Sequence, residues 1–388
     1  MKRLILRILL FLPSFLIIIL TSCGGSPDSP SQRTVEKDCG PVRHARGFCI
    51  EDKDGYKEIT VLNPWQGASD RVFTYYLVER GETVPEGIDP DKVIRTPVES
   101  IICLSTTHVA LIDFLGKTEK IKAVSNRNLI NNSRLKQRME KGELPDIGFE
   151  QNLNYEKIVS IQPDIVMAYG VDSEATGYLD KLRELGITVV MNGEYLEPTP
   201  LAQAEWVRFM AAFLGLDEKA EEKFTAIENE YKELVDLASQ ADDSPVIMAG
   251  LPWQNNWFVP GGRSFFATLV NDAGGDYLWA GNDSRENFPV DMEKVFEAGQ
   301  NADIWLNTGT ASTKEDILKI DRRLGQLPPF KNGRVYNNNA RVNKHGGNDY
   351  WESGITSPHI ILRDLISIIH PELLPRHETV YFRKVEEK

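Results

Sequence analysis

Residues 217–240, DEKAEEKFTAIENEYKELVDLASQ, leave the chain little choice but one long helix. The stretch holds no Gly or Pro. Its apolar residues Ala220, Phe224, Ile227, Tyr231, Leu234, Val235 and Ala238 recur mostly at steps of three and four, which lines them along one helical face. Asp217, Glu218, Glu221 and Glu222 crowd its first turns, where they suit the positive end of the helix dipole. At 1.5 Å per residue it would run about 36 Å, the width of a domain. Lying between two stretches that resemble each other, it is expected to be a strut joining two lobes. The alternative is an ordinary surface helix of one large domain.

The flanks carry strand–helix alternation. Before the strut, strands are expected at 100–104, 121–124, 165–168 and 188–191, with helices ending near 115 and covering 153–161, 175–185 and 201–214. After it, strands are expected at 245–249, 304–307 and 335–337, and helices at 265–273, 292–298, 316–324 and 360–369. Short apolar strands separated by helices imply parallel sheets. The halves also share a motif. Tyr155-Glu156-Lys157-Ile158 precedes Pro163-Asp164-Ile165-Val166, and Met292-Glu293-Lys294-Val295 precedes Ala302-Asp303-Ile304-Trp305. In both, Glu-Lys opens a short helix and Asp-Ile precedes an apolar strand. The expected fold is therefore α/β, with two Rossmann-like lobes, 95–216 and 241–388, joined by one long helix at 217–240. Residues 37–94 read as a β-rich N-terminal extension. Two strands around a turn at Asn63-Pro64 would pack on the first lobe, and 81–95 would be a loop.

The first residues are a targeting segment. Lys2, Arg3 and Arg7 precede an apolar run at 8–20, too short and too interrupted by Pro13 and Ser14 for a membrane span. The run ends in Leu20-Thr21-Ser22-Cys23, which resembles the lipobox of bacterial lipoproteins. That resemblance implies a signal peptide at 1–23, acylation of Cys23, and a flexible tether at 24–36. Export permits disulfides. Cys39 and Cys49 flank a short segment and are expected to bond, with two free thiols as the alternative. Cys103 lies in an apolar strand and reads as a core residue. A net charge of −13 argues against nucleic acid as a partner.

Catalytic constellations do not emerge. HExxH, paired CxxC, GxxxxGK[ST] and GxSxG patterns are missing. Ser105 and His108 lack a third group, and His108 reads as a helix-start polar residue. The six histidines do not cluster with acids as a metal site requires, so neither a metal site nor a cofactor is expected. Two α/β lobes on a tethered, exported chain point instead to ligand capture between them, beyond the carboxyl ends of the strands.

Here the chain resembles a family: substrate-binding lipoproteins of ABC importers for iron–siderophores, haem and cobalamin. The resemblance covers roughly 95–375. It rests on the 154–158 and 162–166 stretches, on Pro289 through Glu293, and on Ser357-Pro358-His359-Ile360-Ile361-Leu362. The segment 37–94 resembles an extension found in a subgroup of the family. The resemblance implies that Glu156 and Glu293, one per lobe, dock onto arginines of a permease dimer. It implies a non-enzymatic protein on the periplasmic side of the cell envelope, anchored in the bilayer through Cys23. The implied ligand is a metal chelate, an iron–siderophore first and cobalamin or haem second. Less favoured alternatives are a bare metal ion or a lipid-anchored hydrolase. Ligand contacts are expected from Ser105, Thr106, His108, Asn126, Arg127 and Tyr169 in the first lobe. In the second they are expected from Trp253, Trp257, Phe258, Phe288, Asp349, Tyr350 and Trp351. Trp253 and Trp257 are favoured because Pro and Asn mark their stretch as a loop, whereas Trp206, Trp279 and Trp305 read as core. Arg127, Arg263, Arg285 and Arg341 would meet an anionic siderophore. Asp349-Tyr350-Trp351-Glu352 resembles the acidic–aromatic loop of cobalamin-binding members, but Ser353 stands where those have Arg.

Overall fold

The structure is a computed structural model that describes residues 39–68, 70–149, 152–170, 176–253 and 256–387. The signal segment, Cys23 and the tether lie outside the described residues.

The chain opens with strands β1 (Phe48–Lys53), β2 (Tyr56–Leu62), β3 (Val72–Glu79) and β4 (Val93–Thr96), paired in that order as one sheet. The sheet has twice the expected number of strands. The turn Asp54-Gly55 closes a tight hairpin in which Lys53 pairs with Tyr56, and Gly55 takes the positive φ of 82° that such a turn favours. β4 lies in the stretch expected to be loop and pairs in parallel with β3. Phe48, Ile59, Val61, Tyr75 and Leu77 bury their side chains in the same core as the first lobe. Phe48 packs on Trp206 and Phe209, and the Tyr75 hydroxyl accepts the Met191 N–H at 2.9 Å.

Ahead of β1, a strap at 39–47 is closed by the Cys39–Cys49 disulfide. Two buried carboxylates hold it. Glu205 accepts the backbone N–H groups of Arg43, His44 and Ala45, and Glu197 accepts those of Arg46 and Gly47 together with the Trp206 indole. Removing Glu205 would leave three donors without an acceptor. Glu205→Ala is expected to lose about 3 kcal/mol in chemical denaturation. Limited trypsin digestion should then cut after Arg43 or Arg46, which the wild type resists.

The first lobe runs β5 (Ile101–Cys103), α1 (Thr106–Phe114), β6 (Ile121–Val124), α2 (Ser133–Glu140), α3 (Tyr155–Ile161), β7 (Ile165–Ala168), α4 (Thr176–Glu184), β8 (Val189–Met191) and α5 (Pro200–Leu214). Its strands are parallel, in the order β6-β5-β7-β8. Gly215, at φ 64°, ends α5 and turns the chain back into α6 (Asp217–Ala238).

The second lobe runs β9 (Val246–Ala249), β10 (Pro252–Trp253), β11 (Asn256–Val259), α7 (Phe265–Asp272), β12 (Asp276–Tyr277), β13 (Phe288–Val290), α8 (Met292–Gly299), β14 (Ile304–Leu306), α9 (Lys314–Ile320), α10 (Pro328–Lys331), β15 (Val335–Asn337), α11 (Pro358–Ile369) and β16 (Arg383–Lys384). Its parallel strands take the order β12-β9-β14-β15, and β16 adds an antiparallel edge. This is the strand order of the first lobe repeated. β10, β11 and β13 form a separate antiparallel sheet.

The shared Asp-Ile motif has one structural task in both lobes. Asp164 accepts the backbone N–H groups of Glu99 and Ser100, just ahead of β5, and Asp303 accepts that of Val246, the first residue of β9. Each carboxylate thus joins the start of one central strand to the start of its neighbour.

The long helix divides its apolar stripe between the lobes. Ala220 and Phe224 belong to the first core; Ile227, Tyr231, Leu234 and Ala238 belong to the second. The hand-over falls within one turn, between Phe224 and Ile227.

Candidate ligand cleft

In each lobe the chain leaves the first central strand for one side of the sheet and returns on the other. The crevice beyond the carboxyl ends of β5 and β7, and of β9 and β14, is where such sheets bind ligands. The loops leaving the two sheets touch. Asn343, on the stretch after β15, donates its amide to the carbonyls of Asn128 and Ile130, on the loop after β6, at 3.0 and 3.2 Å. Glu352, on the same stretch, accepts the N–H groups of Asn131 and Asn132 at 2.5 and 2.7 Å. Ile355 then enters the first lobe's core before α11 returns to the second. This excursion therefore ties the lobes in addition to α6.

On the first-lobe side, Ser105 caps α1 by accepting the Thr107 N–H, and its hydroxyl meets that of Thr107 at 2.8 Å. Ser105 and Thr106 are half-buried. His108, expected among the ligand contacts, is fully buried, and burial pushes its pKa down to about 3, so it is a neutral ring packed edge-on to Tyr169. Helix geometry turns it inward, away from Ser105, and the pair offers no activated hydroxyl. Asn126 takes a left-handed φ of 48° and is half-buried, Arg127 is exposed, and Tyr169 is half-buried.

On the second-lobe side the expected loop at 253–258 is a hairpin, and this corrects the assignment of Trp257. Along β11, Asn256 and Phe258 point outward while Trp257 and Val259 point in. Trp257 is fully buried, donates its indole N–H to Ala249 and stacks near Trp305. The Trp253 side chain lies outside the described residues. Tyr350 is likewise a core residue, packed against Tyr381 and Phe382, because the excursion folds its ring into the second lobe. Asp349 is buried and held by Arg341 at 2.8 Å. Phe288 is half-buried and meets Trp279, which is half-buried at the edge of the second lobe's core. Ser353 bonds Tyr381.

What remains outward at the strand ends is aromatic. Phe258 is 42% exposed and Trp351 53%. Two further rings escaped sequence reasoning: Phe149, 44% exposed, follows Gly148, whose carbonyl accepts from Ser125 and Asn126 beyond β6. Tyr195, 36% exposed, follows β8 and donates its hydroxyl to Gly170. For Tyr195 the available signal was an aromatic four residues past the end of a buried strand; Phe149, far from β6 in sequence, had none. Of the four arginines, Arg341 is spent on Asp349, and Arg263 and Arg285 line a separate groove with the strap and α7. Arg127 alone remains for the cleft.

Burial pushes the Glu352 carboxyl up to about 7 despite its two N–H donors. In the unfolded chain it ionises near pH 4.3. Between these values the folded protein binds more protons than the unfolded one, so this group's contribution to stability falls as pH rises from about 4 through 7. Wild type should therefore lose about 1–3 kcal/mol relative to Glu352→Gln between pH 5 and pH 8, measured by paired denaturation curves.

Glu156 and Glu293 occupy equivalent places. Each is the second residue of the helix leading to an inner strand, α3 before β7 and α8 before β14, and each is exposed. Glu293 lies 3.8 Å from Arg323.

Residues 101–342 match the family described as periplasmic binding protein. An uncharacterized lipoprotein of Methanocaldococcus jannaschii is 25% identical over 84% of this chain and 81% of its own length. A vitamin B12-binding protein of Salmonella paratyphi A is 28% identical over 48% of this chain and 66% of its own length. Among solved structures, a possible iron-binding (periplasmic solute-binding) protein from Staphylococcus epidermidis superposes with a TM-score of 0.56 at 17% identity. That match covers 71% of this chain and all of the other.

Proposed function

This chain belongs to the periplasmic binding protein family, and on that premise we propose that it captures a metal chelate between its lobes and hands it to an ABC importer. The observation that carries this reading is four exposed aromatics on the segments that follow strands of two equivalent sheets: Phe149 and Tyr195 in the first lobe, Phe258 and Trp351 in the second. Flat, polarizable faces suit a large chelate. Ser105, Thr106, Asn126, Arg127 and Tyr169 supply polar contacts and Phe288 flanks them. Acylation of Cys23 would hold the protein at the membrane, with Glu156 and Glu293 as its two anchors on the permease.

An iron–siderophore is the first candidate. With three of the four considered arginines unavailable, a weakly charged chelate fits better than a strongly anionic one. Cobalamin is the second reading, supported by the B12-binding relative.

Paired variants separate cleft from core. Trp351→Ala should weaken binding of the preferred chelate by about tenfold and leave stability nearly unchanged. Trp257→Ala should lose about 3–5 kcal/mol of stability instead. Isothermal titration and denaturation on both variants check this; unaltered affinity in Trp351→Ala would contradict the placement.

A further inference from the structure

A second site lies on the flank of the molecule. A groove of about 740 Å³ runs between the strap and the second lobe. Its walls are the strap at 43–46, Pro198 and Thr199 ahead of α5, and the face of α7 bearing Thr268 and Asn271. It reaches Gly275 and Asp276 at the start of β12, and none of the residues assigned to the cleft lines it, so the two are distinct.

Four arginines line it: Arg43, Arg46, Arg263 and Arg285, against one lining carboxylate, Asp276. Arg43 is engaged by Glu228 at 3.0 Å and Arg263 by Asp283 at 2.5 Å. The side chains of Arg46 and Arg285 have no acidic partner within salt-bridge distance among the described residues. A surplus of guanidinium groups in one concavity is out of keeping with a chain of net charge −13. The wall carrying Arg43 and Arg46 is also fixed in place, because buried Glu205 and Glu197 take up the strap's N–H groups. The family match begins at residue 101, so half of the arginines come from an element outside it.

We propose that this groove binds a phosphate-bearing anion. Guanidinium forks pair with phosphate oxygens through two parallel charge-assisted bonds, and Arg46 and Arg285, without an acidic partner among the described residues, give such a ligand its contacts from facing walls. The Asn271 amide adds a neutral donor. The phosphate has two possible sources, a soluble ester or a lipid headgroup. The headgroup reading rests on the proposed acylation of Cys23, 16 residues before Cys39, a stretch that spans at most about 55 Å when extended.

The test uses the full chain and Arg46→Ala/Arg285→Ala, both exposed positions. Inorganic pyrophosphate is titrated calorimetrically, and co-sedimentation is measured with phosphatidylcholine vesicles with and without phosphatidylglycerol. Wild type is expected to bind pyrophosphate saturably at one site, or to sediment with the anionic vesicles alone, and the double variant to bind at least about tenfold more weakly. Pyrophosphate binding without sedimentation identifies a soluble ligand; sedimentation identifies a headgroup. Absence of both in wild type, or equal binding by the variant, overturns the proposal. Chelate binding in the cleft should be the same in both proteins.

Discussion

Ile227→Pro is expected to destabilise the protein by more than about 3 kcal/mol and to broaden or split its unfolding transition. Proline at 227 removes the N–H that bonds back one turn, and its ring collides with the carbonyl of the preceding turn. Position 227 matters because the apolar stripe of α6 changes partner there. Phe224 is the last of its residues in the first core, and Ile227 is the first in the second. A kink at the hand-over sets the two ends of the stripe against misaligned cores, so packing is lost in addition to the hydrogen bond. The excursion at 341–356 still ties the lobes, so the variant should stay folded at low temperature. Its two lobes should then unfold separately in calorimetry. An exposed site on the same helix, Glu233→Pro, controls for helix breaking away from the hand-over. If Ile227→Pro kept native stability and affinity, α6 would not be the strut.

The second large effect concerns delivery. Glu156→Lys/Glu293→Lys should bind its chelate as wild type does and yet support no measurable import. Both carboxylates are exposed, so the exchanges cost little folding energy. On the proposed docking, each exchange would replace a charge-assisted hydrogen bond to the permease by repulsion. Loss of a bond to a charged group costs about 1.5–3 kcal/mol, so two together weaken docking roughly a hundredfold or more. Each single reversal should give an intermediate defect of similar size, because α3 and α8 hold equivalent positions. Import in reconstituted vesicles, set beside equilibrium binding, separates the two functions. Full import by the double variant would remove the glutamates from the docking face.

Much of the fold was legible because it is written in local periods. The stripe of α6 has a helical period, and the buried parallel strands are short apolar runs. The Glu-Lys and Asp-Ile repeat announced the duplication, though not that Asp164 and Asp303 pin strand starts. β1 escaped although Asp54-Gly55 is a strong hairpin signal. Trp257 was misplaced because Pro and Asn nearby suggested a loop. The alternation Asn256, Trp257, Phe258, Val259 was present, and it assigns Trp257 to the core and Phe258 to the rim. Other features have no local signature. Glu352 meets Asn131 and Asn132 from some 220 residues away, and Glu205 meets the strap from about 160. Arg263 and Arg285 could be read as cationic but not placed on the flank. The site was less legible than the fold, since it is built from loop residues whose neighbours are set only by tertiary packing.

Tryptophan fluorescence offers the most direct measurement. Trp206, Trp257 and Trp305 are fully buried and Trp351 is 53% exposed, so Trp351 should report on the cleft. Ferric siderophores, haem and cobalamin are titrated in parallel, with zinc and manganese ions as controls. One chelate should quench saturably at one equivalent, and Trp351→Phe should lose most of that quench. Saturable binding of a bare ion alone, or no response to any chelate, would contradict the account.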